Sequence, residues 1–61
     1  MPFINIKIAG SLTKDQKEKI TSEMTQTIKN VTGKSESTVL ICIEEESREN
    51  WARGGTLLSS Q

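Results

Sequence analysis

The sequence has no histidine and no tyrosine, and its 61 residues include one cysteine, one proline, one phenylalanine and one tryptophan. Each shortage excludes a chemistry. One cysteine allows no internal disulfide, and without histidine or a second cysteine there is no zinc cluster to staple so small a chain. The commonest general base, imidazole, is missing, and no two carboxylates are spaced so that sequence alone puts them in a catalytic geometry. Neither a metal nor a cofactor is expected. An excess of charge of one sign is missing too. Eight Lys plus Arg balance eight Asp plus Glu, so no basic field marks a nucleic-acid or anionic-membrane partner. No apolar run approaches the length of a membrane span, and the start lacks the basic segment and apolar core of a secretion signal. The expectation is a soluble, cytoplasmic, single-domain protein. A domain of this length buries only about 60% of the surface its unfolded chain exposes, so oligomerisation is the expected remedy for a marginal core.

What is present begins with Met1-Pro2-Phe3-Ile4-Asn5-Ile6-Lys7-Ile8. Removal of Met1 would leave the secondary amine of Pro2 as the chain terminus, at the end of a strand. An α-amino group titrates near pH 8 at about its unperturbed value, and desolvation lowers that value because the charged form is disfavoured. Such an amine, neutral at physiological pH, can take a proton or attack a carbonyl. The structural reading of the same residue is a proline tolerated at the first position of a strand, where no ladder bond is lost.

Isoleucines 4, 6 and 8 alternate with Phe3, Asn5 and Lys7, the period-2 pattern of a half-buried strand over about residues 2–8. Thr13 and Gln16 read as a capping box, opening a helix over about 14–32. Its apolar stripe is Ile20, Met24, Ile28 and Val31, and Gly33 is the residue that ends it. Threonines 21, 25 and 27 are weak helix formers, so the helix must lean on the isoleucine face of the first strand. A second strand, about 38–44, places Val39, Ile41 and Ile43 on one face and Leu40 and Cys42 on the other. Apolar on both faces, it reads as a parallel, central strand. One helix covers one face, so the other needs a second chain. Cys42 reads as a small buried hydrophobe, and Glu44-Glu45-Glu46 as a solvated strand end. Trp51 precedes Gly54-Gly55, where a tryptophan anchors an interface or lines a pocket. Residues 48–58 read as a turn and a short closing strand, 56–58. The fold class is α/β, a βαβ protomer with a short C-terminal hairpin.

Taken together, Pro after Met, the alternating strand, Asp15-Gln16-Lys17 opening the helix, Ile43-Glu44-Glu45 closing the second strand and an aromatic shortly before Gly54-Gly55 resemble the 4-oxalocrotonate tautomerase family over nearly the whole chain. The resemblance implies a βαβ protomer whose pairs share a four-stranded sheet, with three such dimers making a homohexamer. It also implies an amino-terminal proline acting as a base that moves a proton between carbons of an enol or dienol acid, and an aromatic wall residue at Trp51. The chain departs from the family at Leu12 and Leu40, where the best-studied members carry two arginines that bind a dicarboxylate. Leucine cannot imitate a bidentate guanidinium.

Two functions are therefore expected in turn. The first is a cofactor-independent tautomerase, with Pro2 as base and Trp51, Arg53 and Leu40 at the substrate, acting on an enol or 2-keto acid with at most one strongly bound carboxylate. The second is a catalytically silent oligomeric assembly or ligand-binding module that retains Met1, whose presence makes the Pro2 nitrogen a tertiary amide with no basic lone pair. Among the cations, Lys7 lies about 17 Å along the strand from Pro2 at roughly 3.3 Å per residue, too far to reach the same small substrate within one chain. Arg48 and Arg53 flank Trp51, and Arg53 is the expected carboxylate partner; a solvated charge is the alternative reading for each.

Overall fold

The computed structural model describes all residues from 1 to 61. Strand β1 (Phe3–Ala9) leads through a short connection into helix α1 (Lys14–Thr32), which returns the chain to strand β2 (Leu40–Glu46). Two two-residue strands, β3 (Ala52–Arg53) and β4 (Thr56–Leu57), form a hairpin, and single 3₁₀ turns lie at Glu36–Thr38, Arg48–Asn50 and Leu58–Ser60. β1 and β2 are parallel, with Phe3 opposite Leu40, Ile4 opposite Ile41, Ile6 opposite Ile43 and Lys7 opposite Glu44. The hairpin is a separate antiparallel pair. Gly54 and Gly55 connect it with φ of 60° and 83°, the two positive angles that a type I′ turn demands.

The strands sit slightly later than the period-2 pattern suggests. The first begins at Phe3 rather than Pro2, because proline has no N–H to give to a ladder; its carbonyl nevertheless accepts the Leu40 N–H at 2.9 Å. The second spans 40–46 rather than 38–44. Its expected first residue, Thr38, is held in a 3₁₀ turn, where both its N–H and its hydroxyl donate to the Ser35 carbonyl. Short polar side chains make such local bonds in competition with a strand.

Helix α1 begins on the capping box of Thr13 and Gln16 and ends at Gly33, whose φ is 74°. It lies over the face that carries Ile4, Ile6, Ile8, Ile41, Ile43 and Glu45. The connection is chemical as well as apolar: the Lys17 ammonium pairs with Glu45 at 2.5 Å and the Leu12 N–H donates to the same carboxylate at 2.9 Å. The half-buried helix positions are Lys17, Ile20, Thr21, Thr25 and Ile28. Val31, expected in the stripe, is 79% exposed. Nineteen helical residues span about 28 Å at 1.5 Å each, whereas the seven-residue strands span about 23 Å, so the last helical turn overhangs the sheet.

The opposite face of the sheet is bare. Phe3, Asn5, Lys7, Leu40 and Cys42 line it, with Phe3 59% and Leu40 53% exposed. Cys42 is an exposed thiol in this protomer, because no element of the chain itself covers this face. No residue of the 61 is fully buried. The radius of gyration is 14.6 Å, against about 10.5 Å for a compact domain of this length. The exposed surface is 4586 Å², against about 4,000 Å² for a monomer of this mass.

Candidate functional site

Pro2 and Leu40 meet at one end of the sheet. The bond from the Leu40 N–H to the Pro2 carbonyl fixes the entry of β1 beside that of β2, and the Phe3 and Leu40 side chains stand together on the bare face by register. Pro2 itself is half-buried, and Met1 before it is 90% exposed. The surroundings of Pro2 are thus an apolar strand end with no cation supplied by the sheet.

Trp51 and Arg53 lie at the opposite end. β2 runs out at Glu46, the turn at Arg48–Asn50 follows, and Trp51 lies against Lys7, Glu46 and Asn50 around a recess of about 280 Å³. The Leu58 N–H donates to the Trp51 carbonyl at 2.9 Å, and the Arg48 guanidinium reaches the Leu58 carbonyl at 3.4 Å, so Arg48 is committed to holding the C-terminal turn. Arg53 stands on the hairpin, exposed and in no ion pair. The four expected site residues therefore fall into two groups: Pro2 with Leu40, and Trp51 with Arg53. Five residues of β1 separate the groups, about 17 Å at 3.3 Å per residue. Leu12, at the start of the helix, belongs to the Trp51 end, since its N–H reaches Glu45 near the end of β2. One chain does not assemble these residues around one small molecule.

Two carboxylates have depressed pKa values. Glu45 is held below the ordinary carboxylate range chiefly by the hydrogen bond from Lys17, then by the Leu12 N–H. Glu36 is lowered by the Gln26 amide first and then by Lys29. Both are anchors of the fold. Glu45 ties the helix start to the sheet, and Glu36 ties the turn before β2 to the helix through bonds of 2.6 Å from Gln26 and 3.1 Å from Lys29. The triple-glutamate run is thus more than a solvated strand end. Glu44 accepts from Asn5 at 2.6 Å, Glu45 clamps the helix, and Glu46 accepts from Asn50 at 3.3 Å. A broader polar depression of about 690 Å³, lined by Thr25, Lys29, Ser35, Glu36 and Ser37, offers no unpaired cation, since Lys29 is taken by Glu36. Sequence reasoning missed the approach of Lys7 to Trp51. No local spacing reports a contact between β1 and the segment after β2.

Residues 2–61 match the family model described as tautomerase enzyme. A 2-hydroxymuconate tautomerase of Bacillus subtilis is 32% identical over 59 residues, covering 97% of this chain and 95% of its own length. A "Probable tautomerase" of Bacillus cereus is 31% identical over 61 residues, the whole of both chains. Among solved structures, YwhB, described as a homologue of 4-oxalocrotonate tautomerase, superposes with a TM-score of 0.90 at 30% identity and 98% coverage of each chain.

Proposed function

The chain belongs to the tautomerase family, and from that premise we propose that it is an isomerase whose base is the amino group of Pro2, freed by removal of Met1. The observation that carries the reading is the placement of Pro2: half-buried at the head of β1, beside the apolar side chains of Phe3 and Leu40. Once a neighbouring copy covers that end of the sheet, the amine is desolvated, and desolvation favours its neutral, basic form. In the reaction the amine takes the hydroxyl proton of a 2-hydroxy-enoic acid and returns it to a carbon of the conjugated system. One O–H bond breaks, one C–H bond forms and the double bond moves, so the product is the isomeric 2-keto acid with no change in composition. The related Bacillus subtilis protein is named for 2-hydroxymuconate; with leucine at positions 12 and 40, this chain suits an acid with one strongly bound carboxylate. Leu40 supplies an apolar wall at Pro2, Trp51 a second aromatic wall, and Arg53 a guanidinium at the rim.

The site is completed between chains. Pro2 and Leu40 of one protomer lie too far from its own Trp51 and Arg53, and the bare sheet face and absent core call for further copies. A dimer is the minimum and a hexamer the expected state. The test is to prepare the chain with Pro2 as its first residue and to follow ketonisation of the enol of phenylpyruvate. We expect turnover that Pro2→Ala reduces by about a hundredfold or more, within the range for a general base. Equal rates for the two proteins would remove Pro2 from the reaction. A second reading, a silent ligand-binding assembly, rests on the loss of both arginines; full retention of the Met1 mass in protein from its native source would favour it.

A further inference from the structure

The bare face of the sheet carries its charges at one end only. The parallel register sets Phe3 beside Leu40, Asn5 beside Cys42 and Lys7 beside Glu44, and β2 ends on Glu46. Side chains two residues apart along a strand share a face, so this face grades from apolar, through a polar middle, to charged. None of its charges has an ionic partner. Lys7, Glu44 and Glu46 enter none of the ion pairs, whereas Glu45, on the opposite face, is held by Lys17. Glu44 accepts from Asn5 at 2.6 Å, a bond that steadies its carboxylate on the face and leaves it further lone pairs. The face thus offers an ammonium and a carboxylate at one level, each free to pair with a second molecule.

We propose that this face docks on the same face of a second copy with the strands of the two running in the same sense, so that β1 of each lies against β2 of the other and Lys7 pairs with the neighbour's Glu44. The inference rests on the assembly proposed above and not on Pro2 as the base. The charge pattern selects the arrangement. In the same sense, Lys7 and Glu44 meet across the contact because they stand at one level in the register, and Phe3 meets Leu40. In the opposite sense, Lys7, Glu44 and Glu46 would lie over Phe3 and Leu40, and charges buried unpaired against apolar side chains are costly. The contact is self-complementary. Each copy gives one ammonium and one carboxylate, so it closes with reciprocal pairs, as a symmetric interface requires. Because it groups like ends, the copy that brings its Trp51 to this Pro2 joins through another surface.

Charge reversal in the full-length protein separates a pair between copies from a pair within one chain. Lys7→Glu puts a carboxylate at both positions of every copy and Glu44→Lys an ammonium at both, so each variant alone meets like charge. By sedimentation, each should raise the protomer concentration at half-assembly by about tenfold or more, since like charges set against each other at an interface disfavour it by at least that factor. An equimolar mixture, with one variant ¹⁵N-labelled and the two refolded together, should return to near the wild-type value and show mixed assemblies by native mass spectrometry. Each variant then supplies the charge the other lacks, while the like charges within each chain remain. Single variants that assemble like wild type overturn the proposal. Rescue by the double variant K7E/E44K without rescue by the mixture overturns it too, because the pair then acts within one chain. Should either variant be insoluble alone, co-expression of the two decides: soluble mixed assemblies support the pairing and their absence overturns it. A monomeric wild type overturns it together with the assembly, whereas an assembled wild type with unaffected variants overturns the pairing alone and leaves the Pro2 reading in place.

Discussion

Arg53 and Lys7 are both uncommitted cations near Trp51, but they differ in what surrounds them. Arg53 is exposed on a two-residue strand, where water screens its charge and an ion pair is worth little. Its planar fork still suits a carboxylate geometrically. Lys7 is exposed too, but it stands on β1 at the recess lined by Trp51, Glu46 and Asn50. Arg53→Ala should therefore raise KM for an anionic enol acid by a few-fold, on the order of 1 kcal/mol or less, with kcat nearly unchanged. Turnover of a neutral carbonyl substrate should stay the same. Steady-state kinetics on the two substrates decides it: identical KM values for wild type and mutant on both would return Arg53 to the role of solvated surface charge. The general lesson at this scale is that a residue's neighbours, more than its type, set its value. Arg48 carries the same charge as Arg53 and is spent on the Leu58 carbonyl.

Helix α1 is built from weak parts. The hydroxyls of Thr21, Thr27 and Thr32 turn back to the carbonyls of Lys17, Glu23 and Ile28 at 2.8, 3.2 and 2.7 Å, bonds that compete with regular helix formation. Besides packing over the half-buried isoleucines of the sheet, the helix is tied at both ends, by Glu45 at the start and Glu36 at the finish. Both carboxylates titrate below the ordinary value of 4.5. A depressed folded-state pKa means that the folded chain binds fewer protons than the unfolded chain in that range. The stabilisation is then fully present above about pH 4.5 and is lost as the pH falls through the lowered folded value. Wild-type melting temperature, followed by circular dichroism from pH 7 down to pH 3, should decline below that point. Glu45→Gln should melt lower at pH 7 and show a shallower acid decline, with the remainder owed to Glu36. Parallel curves for the two proteins would show that the Lys17 and Leu12 contacts contribute no linkage. The alternation of β1 and the capping box of α1 were readable in the sequence because they are local, repeated within a few residues. The two-residue displacement of β2 was not, because it depends on a 3₁₀ turn closed by the Thr38 hydroxyl.

The whole protomer measures 42 × 24 × 14 Å and has no fully buried residue. Assembly through the bare face should be visible as a species of several protomers by sedimentation at micromolar concentration. Cys42→Asp, placing a charge in the middle of that face, should dissociate or unfold it, since an unpaired buried charge costs on the order of several kcal/mol. A wild-type species of 6.8 kDa would reject the assembly outright. The sequence by itself determined the order of elements, the inward isoleucines, the helix caps, the glycine turn of the hairpin and the family resemblance, because these are set by periodicity and by backbone preferences that act over one or two turns of chain. It also marked Pro2, Leu40, Trp51 and Arg53 individually. Only the tertiary structure decided that they lie at two ends of one sheet, that Glu45 is a clamp, and that Lys7 and Trp51 line one recess. Those facts follow from which strand residue meets which loop across the fold, and distance along the chain carries no record of that meeting.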